Sequence, residues 1–209
     1  MRTISISKII LSIIILSSSC LFAQSDNVNE VYNKVLARYD KMTSFTAKFS
    51  QNNYWKRQNA DINSEGWVYV EGKKAAVIYN EPKGQKVLYD DAYYVIDDVN
   101  RTVLIASEKQ PNNLISPTDV IKSFWKGSEA KVSRKTNEII ELTLVPTKDE
   151  NIAKVVAVIS AKDYLIESLA YEDHQGNKIT LTFKYSDIGK PVDKVIFKKH
   201  WNNEYTIIN

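Results

Sequence analysis

The residues able to do chemistry are few and scattered. His174 and His200 are the only histidines. His174 sits in Asp173-His174-Gln175-Gly176-Asn177, a hairpin-turn pattern, and His200 follows two lysines near the C-terminus. Neither has the spacing of a metal-ligand set. Two acidic pairs, Asp90-Asp91 and Asp97-Asp98, could serve acid–base work or cation binding. Both fall at the ends of predicted strands, where Asp is an ordinary turn residue, and neither has the partner groups of an active-site constellation. There is no GxSxG, phosphate-binding loop or dinucleotide fingerprint. The chain therefore reads as a protein that is not an enzyme, with no metal or cofactor site.

The single cysteine, Cys20, belongs to a segment with another purpose. Arg2 and Lys8 give a basic start, Ile9 to Leu16 is an apolar run, and Ala23 offers a cleavage point. That is the layout of a secretory signal peptide. The run is shorter than the roughly 20 residues a spanning helix needs. Residues 1–23 are expected to be cleaved, leaving 24–209 as one domain. Cleavage after Ala23 removes Cys20 and with it any disulfide or thiolate chemistry. Lipidation of Cys20 is the alternative; Ser17 stands where such signals carry an aliphatic residue. Without Arg2 and Lys8, 26 basic residues face 25 acidic ones. This balance gives no electrostatic case for nucleic acid.

The elements left to position anything are mostly strands. Gly66 to Asp97 reads as four short strands, Trp67–Val70, Ala75–Tyr79, Val87–Tyr89 and Tyr93–Ile96, with turns too short for parallel crossovers. Thr43 to Arg57 has period two, with Phe45, Ala47 and Phe49 inward and Trp55 continuing the set. Lys178 to Tyr185 alternates as well, with Ile179, Leu181, Phe183 and Tyr185 inward. Further strands are expected at Thr102–Ala106, Ile139–Val145, Ala153–Ala161, Tyr164–Tyr171 and Val195–Phe197. Helices are expected at Asp26–Met42, capped by Ser25 or Asp26, and at Ser116–Lys126, where Ser116-Pro117 gives a cap and Pro at the first helical position. Glu108 to Ser116 reads as a polar loop. Two helices only partly cover so large an apolar sheet face. The outcome is either a hydrophobic pocket or a fully packed core, and the pattern alone leaves both open.

The order of these pieces resembles the outer-membrane lipoprotein carrier family, LolA. Ser44-Phe45-Thr46-Ala47-Lys48-Phe49-Ser50-Gln51 looks like the family's S-F-x-A-x-F-x-Q strand. Gly66 opening a strand, then Tyr79-Asn80-Glu81-Pro82 and Gln85, looks like its core hairpin. Asp90-Asp91-Ala92 before Tyr93–Asp97 resembles its S-D-G turn, and Ser116-Pro117 its Thr/Ser-Pro helix start. The resemblance implies an α+β fold, mainly β: an incomplete, strongly curved antiparallel β-barrel. A long N-terminal helix and a short lid helix cover it around a hydrophobic cavity. It also implies a monomer's role without chemistry in the periplasm: binding the acyl chains of lipoproteins and shuttling them from inner to outer membrane. An inner-membrane release complex and an outer-membrane acceptor are the implied partners. The family's Arg-Pro turn is absent; Glu71-Gly72-Lys73-Lys74 stands there, and Ala75 and Val77 stand where the family has aromatics.

The candidate cavity residues are Phe45, Phe49, Val77, Tyr79, Leu88, Tyr94 and Ile96 from the sheet, and Val120, Phe124 and Trp125 from the lid helix. Two other readings share the fold. One is an anchored lipoprotein acceptor or lipid-binding lipoprotein, which requires a lipidated Cys20. The other is a module that senses misrouted lipoproteins.

Overall fold

Twelve strands form one sheet in the order β12-β6-β5-β4-β3-β2-β1-β11-β10-β9-β8-β7. The computed structural model describes residues 27–90, 92–106 and 117–208, and of 117–120 only the backbone. The expected signal segment 1–23 with Cys20, the capping candidates Ser25 and Asp26, Asp91, the Glu108–Ser116 loop and the Val120 side chain lie outside the described residues.

Helix α1 (Val28–Asp40) leads into β1 (Ser44–Trp55), β2 (Ala60–Glu71), β3 (Lys74–Glu81), β4 (Gln85–Tyr89), β5 (Tyr93–Asp97) and β6 (Thr102–Ala106). After α2 (Pro117–Trp125) come β7 (Ser128–Lys135), β8 (Ile139–Pro146), β9 (Ile152–Ser160), β10 (Ile166–Asp173) and β11 (Lys178–Ser186). A 3-10 turn (Lys194–Phe197) and β12 (Thr206–Ile208) close the order. β11 returns beside β1, which joins the two meanders into one antiparallel sheet. β12 pairs parallel with β6. The sheet does not close: β7 is one edge and β12 the other.

The cap of α1 is Asn27, whose side-chain oxygen accepts the Asn29 N–H at 3.0 Å. Val31 and Val35 are its buried stripe. With Ile121 of α2 they pack on Leu142, Leu144, Val155, Ala157, Ile159 and Leu169. Both helices thus lie on one face of the sheet, here called the helix face.

Register assigns every other residue to a face, because side chains alternate across a strand. Ala47 lies opposite Val68 and Tyr185, and Phe49 opposite Gly66 and Phe183. Val68 lies opposite Val77, Val77 opposite Val87, and Val87 opposite Val95. All of these share the helix face. Phe183 and Tyr39 pack against both the cluster under the helices and the Phe45–Phe49 cluster, which makes the two continuous.

The opposite, outer face has its own core. Ala76, Leu88, Tyr94, Ile96 and Val103 are buried there under Ile196, Phe197, Trp201 and Tyr205. The stretch Val195–Phe197, expected to be a strand, is part of the 3-10 turn instead. Asp193 caps it by accepting the Val195 N–H at 2.9 Å, and the segment lies across the sheet rather than joining it. β7 escaped the sequence reading because it is an edge strand of mostly exposed, charged residues, Ser-Glu-Ala-Lys-Val-Ser-Arg-Lys, with little apolar alternation.

Candidate functional site

Phe45, Phe49, Val77 and Tyr79 come together on the helix face with Ala47, Val68 and Val70. Phe49 meets Tyr79 edge-on at 5.3 Å between ring centres. Phe45 and Phe49 are buried, whereas Val77 and Tyr79 are half-buried. Burial raises the pKa of the Tyr79 phenol, so this ring stays neutral and acts as apolar wall.

Leu88, Tyr94 and Ile96 do not join them. Leu88 pairs with Ala76 and Tyr94, one residue out of step with the Val77–Val87–Val95 row. They therefore face outward and are covered by the C-terminal segment. Trp201 lies 5.9 Å from the Tyr94 ring, and Lys199 donates to the Tyr94 hydroxyl at 2.9 Å. The helix-face residues in these strands are Val87, Tyr89, Tyr93 and Val95, all half-buried. Tyr89 and Tyr93 pack at 4.8 Å. The pairing register could have found them, since both strands flank short turns, but burial pattern alone favours the wrong parity. Beyond them Leu104 is 39% exposed on the same face.

The lid candidates differ from one another. Trp125 stacks on Tyr32 of α1 at 3.9 Å and 7°, which ties the two helices together. Phe124 reaches Tyr171 of β10 at 6.0 Å. Next to Tyr171 lies a pocket of about 130 Å³ whose walls include Trp55, Ile152 and Ile179. Larger concavities of about 560 and 600 Å³ lie on the sheet elsewhere: the first is lined by polar side chains such as Ser50, Asn52, Asn63 and Thr180, and the second mixes Ser160, Ser168 and Lys184 with Val158, Leu165 and Phe183.

A ring of hydrogen bonds fixes α1 to the sheet. A bulge follows Ile166, and β10 pairs with β11 only from Ser168 onward. The Ile166 backbone groups on that side are taken by two tyrosines instead. The Ile166 N–H donates to the Tyr39 hydroxyl at 3.1 Å, and the Tyr185 hydroxyl donates to the Ile166 carbonyl at 3.0 Å. The Tyr39 hydroxyl then donates to Tyr185, closing the ring. Each hydroxyl gives one bond and accepts one, so no buried polar atom of the ring lacks a partner.

Tyr185→Phe leaves the Ile166 carbonyl and the Tyr39 proton without partners and is expected to cost about 1–3 kcal/mol in urea unfolding. Burial pushes the Tyr39 phenol up to about 12 and raises Tyr185 as well. An unfolded tyrosine ionises near 10. Between pH of about 10 and 12 the unfolded chain therefore loses protons that the folded one keeps. Stability should be flat below that window and fall as pH rises through it, and Tyr39→Phe should shallow the fall.

The polar candidates from the sequence act as turn residues. Asp97 accepts the backbone N–H groups of Asn100 and Val99 at 2.9 and 3.0 Å, and the Asn100 bonds foremost hold its carboxyl below the usual range. Asp98 accepts the Tyr205 hydroxyl at 2.8 Å. Asp90 pairs with Lys74 at 3.2 Å, in the turn where the resemblance implies Arg-Pro. His174 Nε2 lies 3.3 Å from the Asp149 carbonyl. Among the described residues no three His, Cys, Asp or Glu side chains are grouped to hold a metal ion. None of the described helices is long and apolar enough to cross a membrane.

What remains is an open antiparallel sheet with an apolar face, partly covered by two helices. Similar solved structures include an uncharacterized conserved protein from Thermus thermophilus, at 9% identity over 86% of this chain and 97% of that one, with a TM-score of 0.58. A chain of the MucA/MucB complex from Pseudomonas aeruginosa is similar at 10% identity over 87% of this chain, with a TM-score of 0.52; the match spans 63% of that chain. A LolA superfamily protein from Nitrosomonas europaea is similar at 13% identity over 82% of this chain and 97% of that one, with a TM-score of 0.43. At these identities the likenesses concern the fold. The comparison with curated protein sequences finds no match. The family profile described as outer membrane lipoprotein carrier protein LolA matches residues 40–200. That match covers most of the chain, and the protein belongs to the LolA family.

Proposed function

We propose that this protein is a periplasmic carrier that holds the acyl chains of lipoproteins against the helix face and shuttles them from the inner to the outer membrane. The observation that carries the reading is the uneven cover of that face. Under α1 and α2 the sheet residues are fully buried, but along β3 to β6 Val77, Tyr79, Val87, Tyr89, Tyr93 and Val95 are half-buried and Leu104 is exposed. An acyl chain laid there gains roughly 0.8 kcal/mol for each CH₂ it buries, enough for a soluble protein to compete with a membrane. Family membership supports the same reading, since the family is described by its lipoprotein carriers. The binding residues on this reading are Phe45, Phe49, Val77, Tyr79, Val87 and Val95 from the sheet, with Phe124 and Trp125 from the lid. An inner-membrane release complex and an outer-membrane acceptor would be its partners, and 1–23 the signal that exports it.

Phe124 offers the test. It is half-buried at the end of α2 and packs on Tyr171, a wall of the pocket, so a charge there stands behind that wall while staying within reach of water. Phe124→Glu is expected to lower binding of a triacylated peptide at least about tenfold, the loss of the apolar area an acyl chain would cover on the ring, with a smaller change in unfolding midpoint. Equal loss of binding and of fold would mark Phe124 as plain core and remove the lid from the reading.

A further inference from the structure

We propose that the rim formed by the β1–β2 and β10–β11 turns is a docking site for an anionic phospholipid surface. Three large apolar side chains are exposed there on the helix face: Trp55 at 44%, Ile62 at 56% and Ile179 at 41%. They form one patch. Ile62 and Ile179 flank Asn53 from the two neighbouring strands, and Trp55 stands two residues further along the same face. With strands about 4.8 Å apart, the patch is about 10 Å across.

The rim is held in shape. The Lys56 N–H donates to Asn177 Oδ1 at 3.0 Å, which joins the two turns. Lys56, Arg57 and Lys178 are exposed on it and have no ion pair among the described residues. The acids near it are engaged by the protein's own donors, Asp149 and Asp173 accepting backbone N–H groups at 2.8 to 2.9 Å and the exposed Asp61 accepting the Asn52 side-chain amide at 2.9 Å on the opposite face of the hairpin, and Glu150 stands exposed on the β8–β9 turn. An indole beside aliphatic side chains, with lysine and arginine at the same level, matches the chemistry of a membrane interface: rings at headgroup depth and cations at phosphate. A protein partner needs a larger and more complementary surface than this patch supplies.

The position adds a reason for a bilayer. Trp55 and Ile179 also wall the 130 Å³ pocket beside Tyr171, and Phe124 of the lid touches Tyr171. The chain just beyond α2 is tied to the neighbouring β8–β9 turn, where the Thr147 hydroxyl donates to the Gly127 carbonyl at 2.8 Å, and His174 of the rim lies 3.3 Å from the Asp149 carbonyl of that turn. Docking by the rim would put the mouth of the pocket against the membrane, so an acyl chain passes between them without crossing water. This last step rests on the carrier reading; the docking itself does not.

Flotation with vesicles of phosphatidylcholine containing phosphatidylglycerol tests it. Wild-type protein is expected to float, and brominated lipid is expected to quench a fluorescence component that Trp55→Phe removes. The double variant Ile62→Asp, Arg57→Gln lies outside the pocket walls. It is expected to partition at least about tenfold less while taking up triacylated peptide from detergent-free solution as before. Failure of the wild type to float, equal flotation of the double variant, or no Trp55 quenching overturns the proposal. Wild-type flotation without uptake of the peptide removes the carrier reading and leaves docking standing; uptake without flotation does the reverse.

Discussion

Gly66→Ala is expected to lower stability by about 3 kcal/mol, the upper end for overpacking, and to do so through the sheet rather than through any ligand. A methyl group at this position would overlap the Ile78 carbonyl oxygen and lie 2.9 Å from both Phe49 Cε1 and the Tyr79 Cα. Two of those three neighbours are backbone and cannot swing aside. The register of β2 on β3 shifts between Glu65 and Gly66, and the Phe49 ring lies over the glycine from the adjoining strand. Relieving the overlap would push β3 from β2 or lift Phe49, and both carry the row Phe49–Gly66–Tyr79 at the centre of the helix face. A lower urea midpoint with an unchanged denaturant slope is the expected result. Wild-type stability in this variant would mean that the β2–β3 contact is looser than described.

Ile121→Ala is expected to loosen the lid and leave the sheet in place. α2 has only nine residues, too few to remain helical in water without tertiary packing. Ile121 is its fully buried anchor among the residues whose side chains are described, at 0% exposure among Val31, Val35 and the β8–β9 core. Truncating a buried Ile to Ala costs about 2–5 kcal/mol, and each 1.4 kcal/mol is a tenfold change in an equilibrium. If opening of α2 precedes acyl uptake, the open fraction and the initial uptake rate of an acyl probe should rise about thirtyfold or more. The far-UV signal of the strands should stay. A rate unchanged by this substitution would separate lid opening from uptake; collapse of the whole β signal would make Ile121 a support of the sheet.

The parity of β1 and β11 was legible because period-two alternation is local. Phe45, Ala47 and Phe49, and Leu181, Phe183 and Tyr185, stand inward on the face their spacing indicates, whereas Trp55 and Ile179, expected to be inward as well, share that face but are exposed at the strand ends, beyond the reach of the helices. The assignment of Leu88, Tyr94 and Ile96 was not, for a different reason. Their burial was readable, but β4 and β5 are five-residue strands apolar on both faces. In such strands only pairing register tells inside from outside, and the turns set it. The cover on the outer face could not be foreseen either. It consists of Ile196, Phe197, Trp201 and Tyr205 from a segment with little regular structure, so no periodicity announced it. The Tyr39–Tyr185 ring joins residues 146 positions apart and depends on a bulge, a feature without a sequence signature of its own here.

The central claim is that acyl chains occupy the helix face. A lipopeptide carrying a photoactivatable diazirine at the end of its acyl chain tests this directly, with adducts mapped by mass spectrometry after loading and irradiation. Adducts are predicted on Phe45, Phe49, Val77, Tyr79, Val87 and Phe124. Adducts concentrated on Tyr69, Tyr94 or Trp201 would place the chain on the outer face and contradict the account.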